Sequence, residues 1–140
     1  MTKDVIVSVI GTQFSMDNLE EPVEVITKGS YYKKNNKHYV VYDELIDGEY
    51  LTKNMMKFDD TGFNFIRSGS VNSNMTFEEN KRNISNYVTP FGTLVVGIDA
   101  SKVAIEEKNE EINVDIDYAI DVNSEYLADC KITCSIKAVQ

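Results

Sequence analysis

Arg67 is the residue whose type and position most clearly suggest binding chemistry. The chain has twelve lysines but only two arginines, Arg67 and Arg82. Arg67 alternates in register with Phe63 and Phe65, so a strand that buries this face would carry a guanidinium into the interior. A planar guanidinium binds a carboxylate through two parallel hydrogen bonds, which a lysine cannot do. Because an unpaired charge in an apolar interior is very costly, we expect a partner for it.

The residues alone leave three interpretations of Arg67 open. It forms an internal salt bridge, for which Glu44 is the first candidate because Glu44 shares a face with Tyr42. It anchors an anionic ligand, or it faces solvent. Tyr42 and Tyr87 complete the candidate ligand-binding site of Arg67, Glu44, Tyr42 and Tyr87, because tyrosine offers apolar area and a hydroxyl that needs a partner when buried. Alternatively, these tyrosines only pack on the sheets, since tyrosine is a good strand former.

Nothing in the sequence predicts a catalytic site, a metal site or a cofactor. His38 is the only histidine; it follows a turn at residues 33–37, where we expect it to be exposed, and no nucleophile elbow accompanies it. Nine carboxylates between residues 101 and 129 lack the glycine-punctuated loop of a calcium-binding EF-hand. We interpret them, including Asp115, Asp117 and Asp121, as a solvated outer face that discourages edge-to-edge association.

Cys130 and Cys134 are the only cysteines. Residues four apart on one strand are separated by about 13 Å, whereas a disulfide requires Cα atoms within about 7 Å. The sequence therefore predicts two free thiols that act as small apolar side chains.

Alternating hydrophobicity indicates the strands that must position these residues. Apolar and polar residues alternate through 112–121 and again through 128–138, the pattern of half-buried antiparallel strands. Turn signals rich in Asn, Asp, Gly and Lys separate such segments. They are Lys33–Lys37, Asp47–Gly48, Asp59–Gly62, Glu79–Asn83 and Lys108–Glu110.

These segments predict an all-β protein with a single domain over residues 1–140. We expect an antiparallel up-and-down barrel of eight to ten strands, because closure removes exposed strand edges. A β-sandwich of the same strands is the alternative. Pro90 and Gly92 predict a bend at one barrel end, and we expect Phe91 to plug that end.

Several segments carry a family resemblance. Arg67-Ser68-Gly69-Ser70-Val71, Met75-Thr76-Phe77 and Tyr87-Val88-Thr89-Pro90-Phe91-Gly92 follow an upstream Gly29-Ser30-Tyr31-Tyr32 and Tyr39-Val40-Val41-Tyr42-Asp43-Glu44. In order and spacing, over residues 4 to 138, the chain resembles the YwiB-like family of uncharacterised bacterial proteins. The resemblance implies a calycin-like barrel, related in shape to lipocalins and fatty-acid-binding proteins. It implies no particular activity.

The charge balance bears on the class of partner. A net charge of −9 argues against a nucleic-acid partner or an anionic membrane surface. No window approaches 18 apolar residues, and the start of the chain lacks the apolar stretch of a signal peptide, so we expect a cytoplasmic protein.

Three functions compete on the sequence. The first is binding of a small apolar or anionic ligand inside the barrel. The second is a filled barrel that interacts with proteins through its acidic face. An enzyme of the calycin type comes last, because no nucleophile–base pair or metal set is present. The sequence does not specify an oligomeric state.

Overall fold

The structure is a computed structural model that describes residues 3–15, 18–19, 23–46, 50–69, 72–89 and 91–139. In this part of the chain, eleven antiparallel strands form one sheet. They are β1 (Lys3–Ser15), β2 (Asn18–Leu19), β3 (Val23–Lys34), β4 (Lys37–Ile46), β5 (Tyr50–Asp59), β6 (Gly62–Gly69), β7 (Ser73–Phe77), β8 (Lys81–Thr89), β9 (Gly92–Lys108), β10 (Glu111–Val122) and β11 (Glu125–Ala138).

Ten of these strands form the wall of a nearly closed up-and-down barrel, which confirms the predicted fold class. From β3 to β7, and again from β8 to β11, each strand pairs with the next strand along the chain. The first strand, β1, pairs with β3 on one side and with the last strand, β11, on the other. Between β7 and β8, a single bridge from Asn72 to Val88 replaces a ladder. The two-residue β2 pairs only with β1.

The barrel interior is packed with one face of the alternating strands. The most completely buried apolar side chains come from both halves of the chain and include Val7, Val40, Met56, Phe58, Phe63, Phe77, Ile98, Val114, Ile116 and Cys134. An aromatic row crosses the interior, because His38, Phe58, Phe63 and Phe77 are consecutive cross-strand neighbours. Phe77 meets Tyr118 from β10 edge to face at 4.9 Å, so the row extends across the interior beyond its neighbouring strands.

A β-bulge in β9 changes which of its residues face inward. Ala100 pairs with Tyr118 and Lys102 pairs with Asp117, which leaves Ser101 as the extra residue. Val96, Ile98 and Ala100 are buried before the bulge, and Val103 and Ile105 pack against the core after it. The inward parity therefore changes from even to odd, and Glu107 follows Val103 and Ile105 on the inward face.

The hairpin turns define two ends of the barrel. The turns at 35–36, 60–61, 79–80 and 109–110 lie at one end, which we call the closed end. Asn35 and Asn36, with positive φ of 53° and 63°, form the first of these turns. The opposite end, which we call the open mouth, receives the ends of β4, β6, β8 and β10. The predicted Asp47–Gly48 turn lies outside the described residues.

Phe91 corrects one prediction at the open mouth. It was expected to plug the barrel, but its side chain is 99% exposed. The tip between β8 and β9 therefore points its aromatic ring out of the barrel. Among the described residues there is no helix of the length and apolarity needed to cross a membrane.

Candidate functional site

The inward faces of β4, β5 and β6 carry polar side chains where the strands approach the open mouth. Tyr42, Asn54 and Arg67 are consecutive cross-strand neighbours, so they form one row across the three strands. Glu44 lies one inward position nearer the mouth on β4. Alternation explains this placement, because each of these residues lies on the same strand face as apolar residues that are deeper in the barrel. Arg67, for example, shares its face with Phe63 and Phe65.

Arg67 and Glu44 form the predicted ion pair. Arg67 Nη2 donates to Glu44 Oε1 at 2.9 Å, and Arg67 Nε donates to the Asn54 side-chain Oδ1, also at 2.9 Å. Asn54 Nδ2 points toward the same Glu44 oxygen at 3.4 Å. Arg67 Nη1 has no hydrogen-bond acceptor within the described ranges of the chain. The side chains of Arg67 and Glu44 are 25% and 22% exposed, so the pair is reachable from the mouth.

Tyr42 lies beneath this pair, and Tyr87 lies apart from it. Tyr42 is 4% exposed, and burial, more than the nearby Cys134 and Glu44, raises the pKa of its hydroxyl well above the usual range. The hydroxyl is therefore neutral. Tyr87 faces inward from β8, on the far side of the seam between β7 and β8, and is half-buried. No hydrogen bond joins it to Arg67 in the described structure.

Sequence reasoning missed three polar residues beside the ion pair. Asn54 is 1% exposed and contacts both charged partners, Thr52 is fully buried one position nearer the mouth, and Ser73 is buried opposite Arg67 on β7. The alternation of Thr52, Asn54, Met56 and Phe58 in β5 is the signal that could have identified the first two. It places two polar residues on the same face as two large apolar ones.

Open space adjoins the mouth on the inward face of β1. Gly11 pairs with Val23 on one side and Ile132 on the other. A Cβ added at Gly11 would meet no atom within 4 Å among the described residues. Val23 and Leu94 lie on inward faces but remain 70% and 38% exposed. Among the described residues, Val23 and Leu94 therefore leave apolar surface uncovered on the inward face near the mouth.

His38 corrects a second prediction, at the closed end. It was expected to be exposed, but it is 5% exposed and stacks on Phe58 at 4.9 Å. Its Nδ1 lies 2.7 Å from the Tyr31 hydroxyl and its Nε2 lies 3.5 Å from Glu107 Oε1. Because β4 and β9 lie on opposite sides of the barrel, this contact spans the closed end.

Burial of His38 explains its acid–base behaviour. Desolvation lowers the pKa of the imidazole below its usual value, although the Glu107 carboxylate acts in the opposite direction. The neutral ring can accept a hydrogen bond from the Tyr31 hydroxyl at Nδ1 and direct its Nε2–H toward the Glu107 carboxylate. This arrangement links β3 and β4 to β9 across that end of the barrel. Nowhere in the described ranges do three His, Cys, Asp or Glu residues group so that they could hold a metal ion.

The prediction of two unbridged thiols is confirmed, whereas the predictions for Arg82 and Asp121 are wrong. Neither Cys130 nor Cys134 forms a disulfide bond; Cys134 is buried and Cys130 is half-buried. Arg82 was expected in a loop but lies in β8, where it makes two hydrogen bonds with Asp121 at 2.7 and 2.8 Å. Asp121 is therefore part of a surface ion pair. Its side chain is only 15% exposed, which corrects the prediction that it is a solvated acid.

Comparisons with known proteins agree with this barrel. The family described as "Domain of unknown function (DUF1934)" matches residues 7–134. The "Uncharacterized beta-barrel protein YwiB" of Bacillus subtilis (strain 168) is 29% identical over 120 residues, which cover 84% of this chain and 83% of that protein.

A solved structure shares the fold. The crystal structure of the ywiB protein from Bacillus subtilis superposes with a TM-score of 0.82 at 24% identity, covering 99% of this chain and 94% of the other. The strand order and the barrel described above are thus those of an experimentally determined relative. Since the family match spans nearly all of the barrel, the chain belongs to the DUF1934 family.

Proposed function

We propose that the chain binds a small ligand with an apolar body and an anionic group at the open mouth of the barrel. The observation that carries this proposal is the placement of Arg67. Its guanidinium is held by Glu44 and Asn54 but remains one-quarter exposed, with Nη1 unpaired among the described residues. A carboxylate or phosphate group at the mouth would accept from Nη1 in a partly desolvated setting, where charge-assisted hydrogen bonds are strong.

The apolar body of the ligand would occupy the space in front of Gly11. That space lies on the same end of the barrel as Arg67 and is bordered by the inward-facing Val23 and Leu94. Ligand pockets are mostly apolar with a few polar groups that fix orientation. Deeper in the barrel, the interior is filled by its own side chains, so the ligand would be small and lie near the mouth.

The cellular setting follows from the same features. The absence of a disulfide at Cys130 and Cys134 is compatible with a reducing compartment, which supports a cytoplasmic location. The net charge of −9 disfavours nucleic acid and anionic membranes as partners. Because all described strands belong to one sheet, we infer a single domain over residues 1–140.

A direct experiment compares decanoate, decanol and decyltrimethylammonium as ligands by calorimetry. We expect decanoate to bind most tightly, and the Arg67→Met variant to lose that preference. Lys53→Met is the matched control, because Lys53 has the same charge on the exposed face of the neighbouring strand. Native mass spectrometry of the protein from its own cells would identify a retained molecule.

A second variant tests the apolar part of the pocket without touching the charge. Gly11→Leu places a side chain in the open space, so it should abolish binding while leaving the free energy of unfolding unchanged or higher. Equal affinity for all three ligands, or unchanged binding in both variants, would contradict the proposal.

A further inference from the structure

The pairing between β3 and β4 stops before these strands reach the open mouth. Within the described residues, the ladder runs from the Lys34–Lys37 pair to the Ser30–Val41 pair and is not continued toward the mouth. Beyond it, residues 23–28 of β3 and residues 43–46 of β4 are still extended strand. We call the interval between these two stretches the β3–β4 split. It interrupts the wall of the barrel at the mouth.

Each side of the β3–β4 split is a strand edge with unused backbone groups. Residues 23–28 pair with β1 on their other side, and residues 43–46 pair with β5 on theirs. In an antiparallel strand, successive residues direct their N–H and C=O groups to opposite edges. Every second residue of both stretches therefore points these groups into the split, where no strand of the described chain pairs with them. Such edges readily pair with another extended chain.

The side chains beside the split are those of separated strands. If the register of β3 and β4 continued, Ile26 and Leu45 would be cross-strand neighbours. Each of them is 63% exposed, so neither covers much of the other. Leu51, the neighbour of Leu45 on β5, is 47% exposed. On the inner face of β3, Val25 and Thr27 are half-buried.

Gly29 marks the inner end of the split. A Cβ at this position would lie 2.8 Å from the Val41 carbonyl oxygen and 3.2 Å from the Tyr42 Cβ, so the two strands are in close contact there. At about 3.3 Å per residue, residues 23–28 extend for about 20 Å from this contact to the mouth, and residues 43–46 for about 13 Å. The split is therefore as long as an ordinary short strand.

We propose that the β3–β4 split binds an extended segment of a partner protein, which adds to the barrel wall as an extra strand. Backbone complementarity selects this occupant, because an extended peptide presents donors and acceptors at strand spacing along both of its edges. The edge of a folded sheet would reach only one side of the split, and a helix has already paired its backbone groups. The binding groups belong to the backbone of β3 and β4, so the proposal does not depend on a ligand at Arg67.

The surrounding side chains indicate the composition of the segment. Its outward side chains would lie beside Ile26 and Leu45, where β-branched apolar residues pack well against their cross-strand neighbours. Glu24, Lys28 and Asp43 are exposed charges of both signs along the split, so net charge does not select the partner. We expect a segment in which apolar residues alternate with small polar ones.

A fluorescently labelled peptide of alternating valine and threonine is a suitable probe, with one lysine and one glutamate at its ends to keep it soluble and neutral. We expect the monomeric peptide to bind saturably. The same peptide with N-methyl groups at every second residue keeps its side chains but loses the donors of one edge, so it should bind at least tenfold more weakly. Bound peptide should slow hydrogen exchange in residues 23–28 and 43–46. Equal affinity of the two peptides, or protection confined to other strands, would overturn the proposal.

Two proline variants test the backbone of the split directly. The N–H groups of Thr27 and Lys28 point to opposite edges of β3, so one of Thr27→Pro and Lys28→Pro interrupts pairing with β1 while the other affects only the split. The more stable of these two variants should bind the valine/threonine peptide at least tenfold more weakly than the unmodified protein does. Unchanged affinity in that variant would contradict strand addition.

Side-chain variants add a matched comparison. Ile26→Ser combined with Leu45→Ser should weaken peptide binding severalfold. Ile84→Ser combined with Val88→Ser removes two similarly exposed apolar side chains from β8 and should leave binding unchanged. An equal loss in both double variants would overturn the proposal. So would Ile26-dependent self-association of the chain in place of peptide binding.

Discussion

Arg67 and Glu44 meet across an intervening strand. They belong to β6 and β4, and Arg67 Nη2 lies 2.9 Å from Glu44 Oε1 above β5, from which the side chain of Asn54 contacts both. The three residues therefore connect three strands just inside the mouth of the barrel. Removal of Arg67 leaves the Asn54 side-chain oxygen without this donor and poorly placed to reach water, because Asn54 is almost completely buried.

The first prediction concerns the stability of this group. Arg67→Met should lower the free energy of unfolding by about 1 to 3 kcal/mol, because Glu44 and Asn54 each lose a donor. Removing one partner of a fully buried ion pair costs about 3 to 5 kcal/mol. The loss expected here is smaller, since both charged side chains retain contact with solvent. Arg67→Lys should fall between Met and the unmodified protein, because an ammonium lacks the guanidinium fork.

Urea denaturation measures these differences. A double-mutant cycle with Glu44→Gln separates the ion pair from the rest of Arg67's packing on Phe65, whose ring centre is 6.0 Å from the guanidinium carbon. Lys53→Met, on the outer face of β5, should change stability by no more than about 0.5 kcal/mol. An Arg67→Met variant as stable as this control would mean that the pair contributes nothing.

The second prediction tests the faces of β11. Ile132 is 8% exposed and packs in the core, whereas the neighbouring Lys131 has a side chain that is 43% exposed near Asp117. Ile132→Ala should cost about 2 to 5 kcal/mol, while Lys131→Ala should stay within about 0.5 kcal/mol. Comparable losses in the two variants would show that the faces are assigned incorrectly.

Alternation was sufficient to predict the strands that keep one parity from end to end. In β11, Ile132, Cys134 and Ile136 are buried and the residues between them are not, as the pattern indicated. The same reasoning placed Arg67 inward and selected Glu44 as its partner. The inward direction of these two side chains follows from local geometry, because each shares a strand face with apolar residues that are buried nearby.

Features that depend on distant parts of the chain could not be predicted in this way. The bulge at Ser101 reverses the parity of β9, so Glu107 faces inward although no single alternating pattern spans the strand. His38 lies on the inward face of Val40 and stacks on Phe58, so alternation in β4 indicated its burial, but the neighbouring turn signal was given more weight in the prediction. Phe91 is exposed because the turn that carries it points away from the barrel, which sequence composition does not indicate.

The third prediction concerns the two thiols. Burial raises the pKa of Cys134 to about 12, so at neutral pH it has almost no thiolate, the reactive form. Cys134 should therefore react with a thiol reagent only when the protein unfolds. Cys130, which is half-buried, should react faster than Cys134 in the native protein. Labelling of the Cys130→Ser variant isolates Cys134, and rapid native labelling of that variant would contradict its burial.

The fourth prediction is a pH dependence that originates at His38. Burial lowers the pKa of the imidazole below its usual 6.5, and Lys33 acts in the same direction, while Glu107, Asp59 and Asp60 oppose it. Between 6.5 and the lowered pKa, the unfolded chain binds a proton that the folded protein does not. The free energy of unfolding should therefore fall as the pH decreases through this window and recover as the pH rises above 6.5.

His38→Gln is the variant that isolates this contribution. Glutamine does not titrate, but its amide can accept from the Tyr31 hydroxyl and donate toward Glu107, the two contacts that His38 makes. Urea denaturation from pH 7.5 to 5 should show a steeper loss of stability in the unmodified protein than in the variant, because carboxylate titration is common to both. Hydrogen exchange of the β3–β4 hairpin should increase more at low pH in the unmodified protein than in the variant, since burial disfavours the charged imidazole of His38. Parallel pH profiles for the two proteins would show that His38 keeps its ordinary pKa despite its burial.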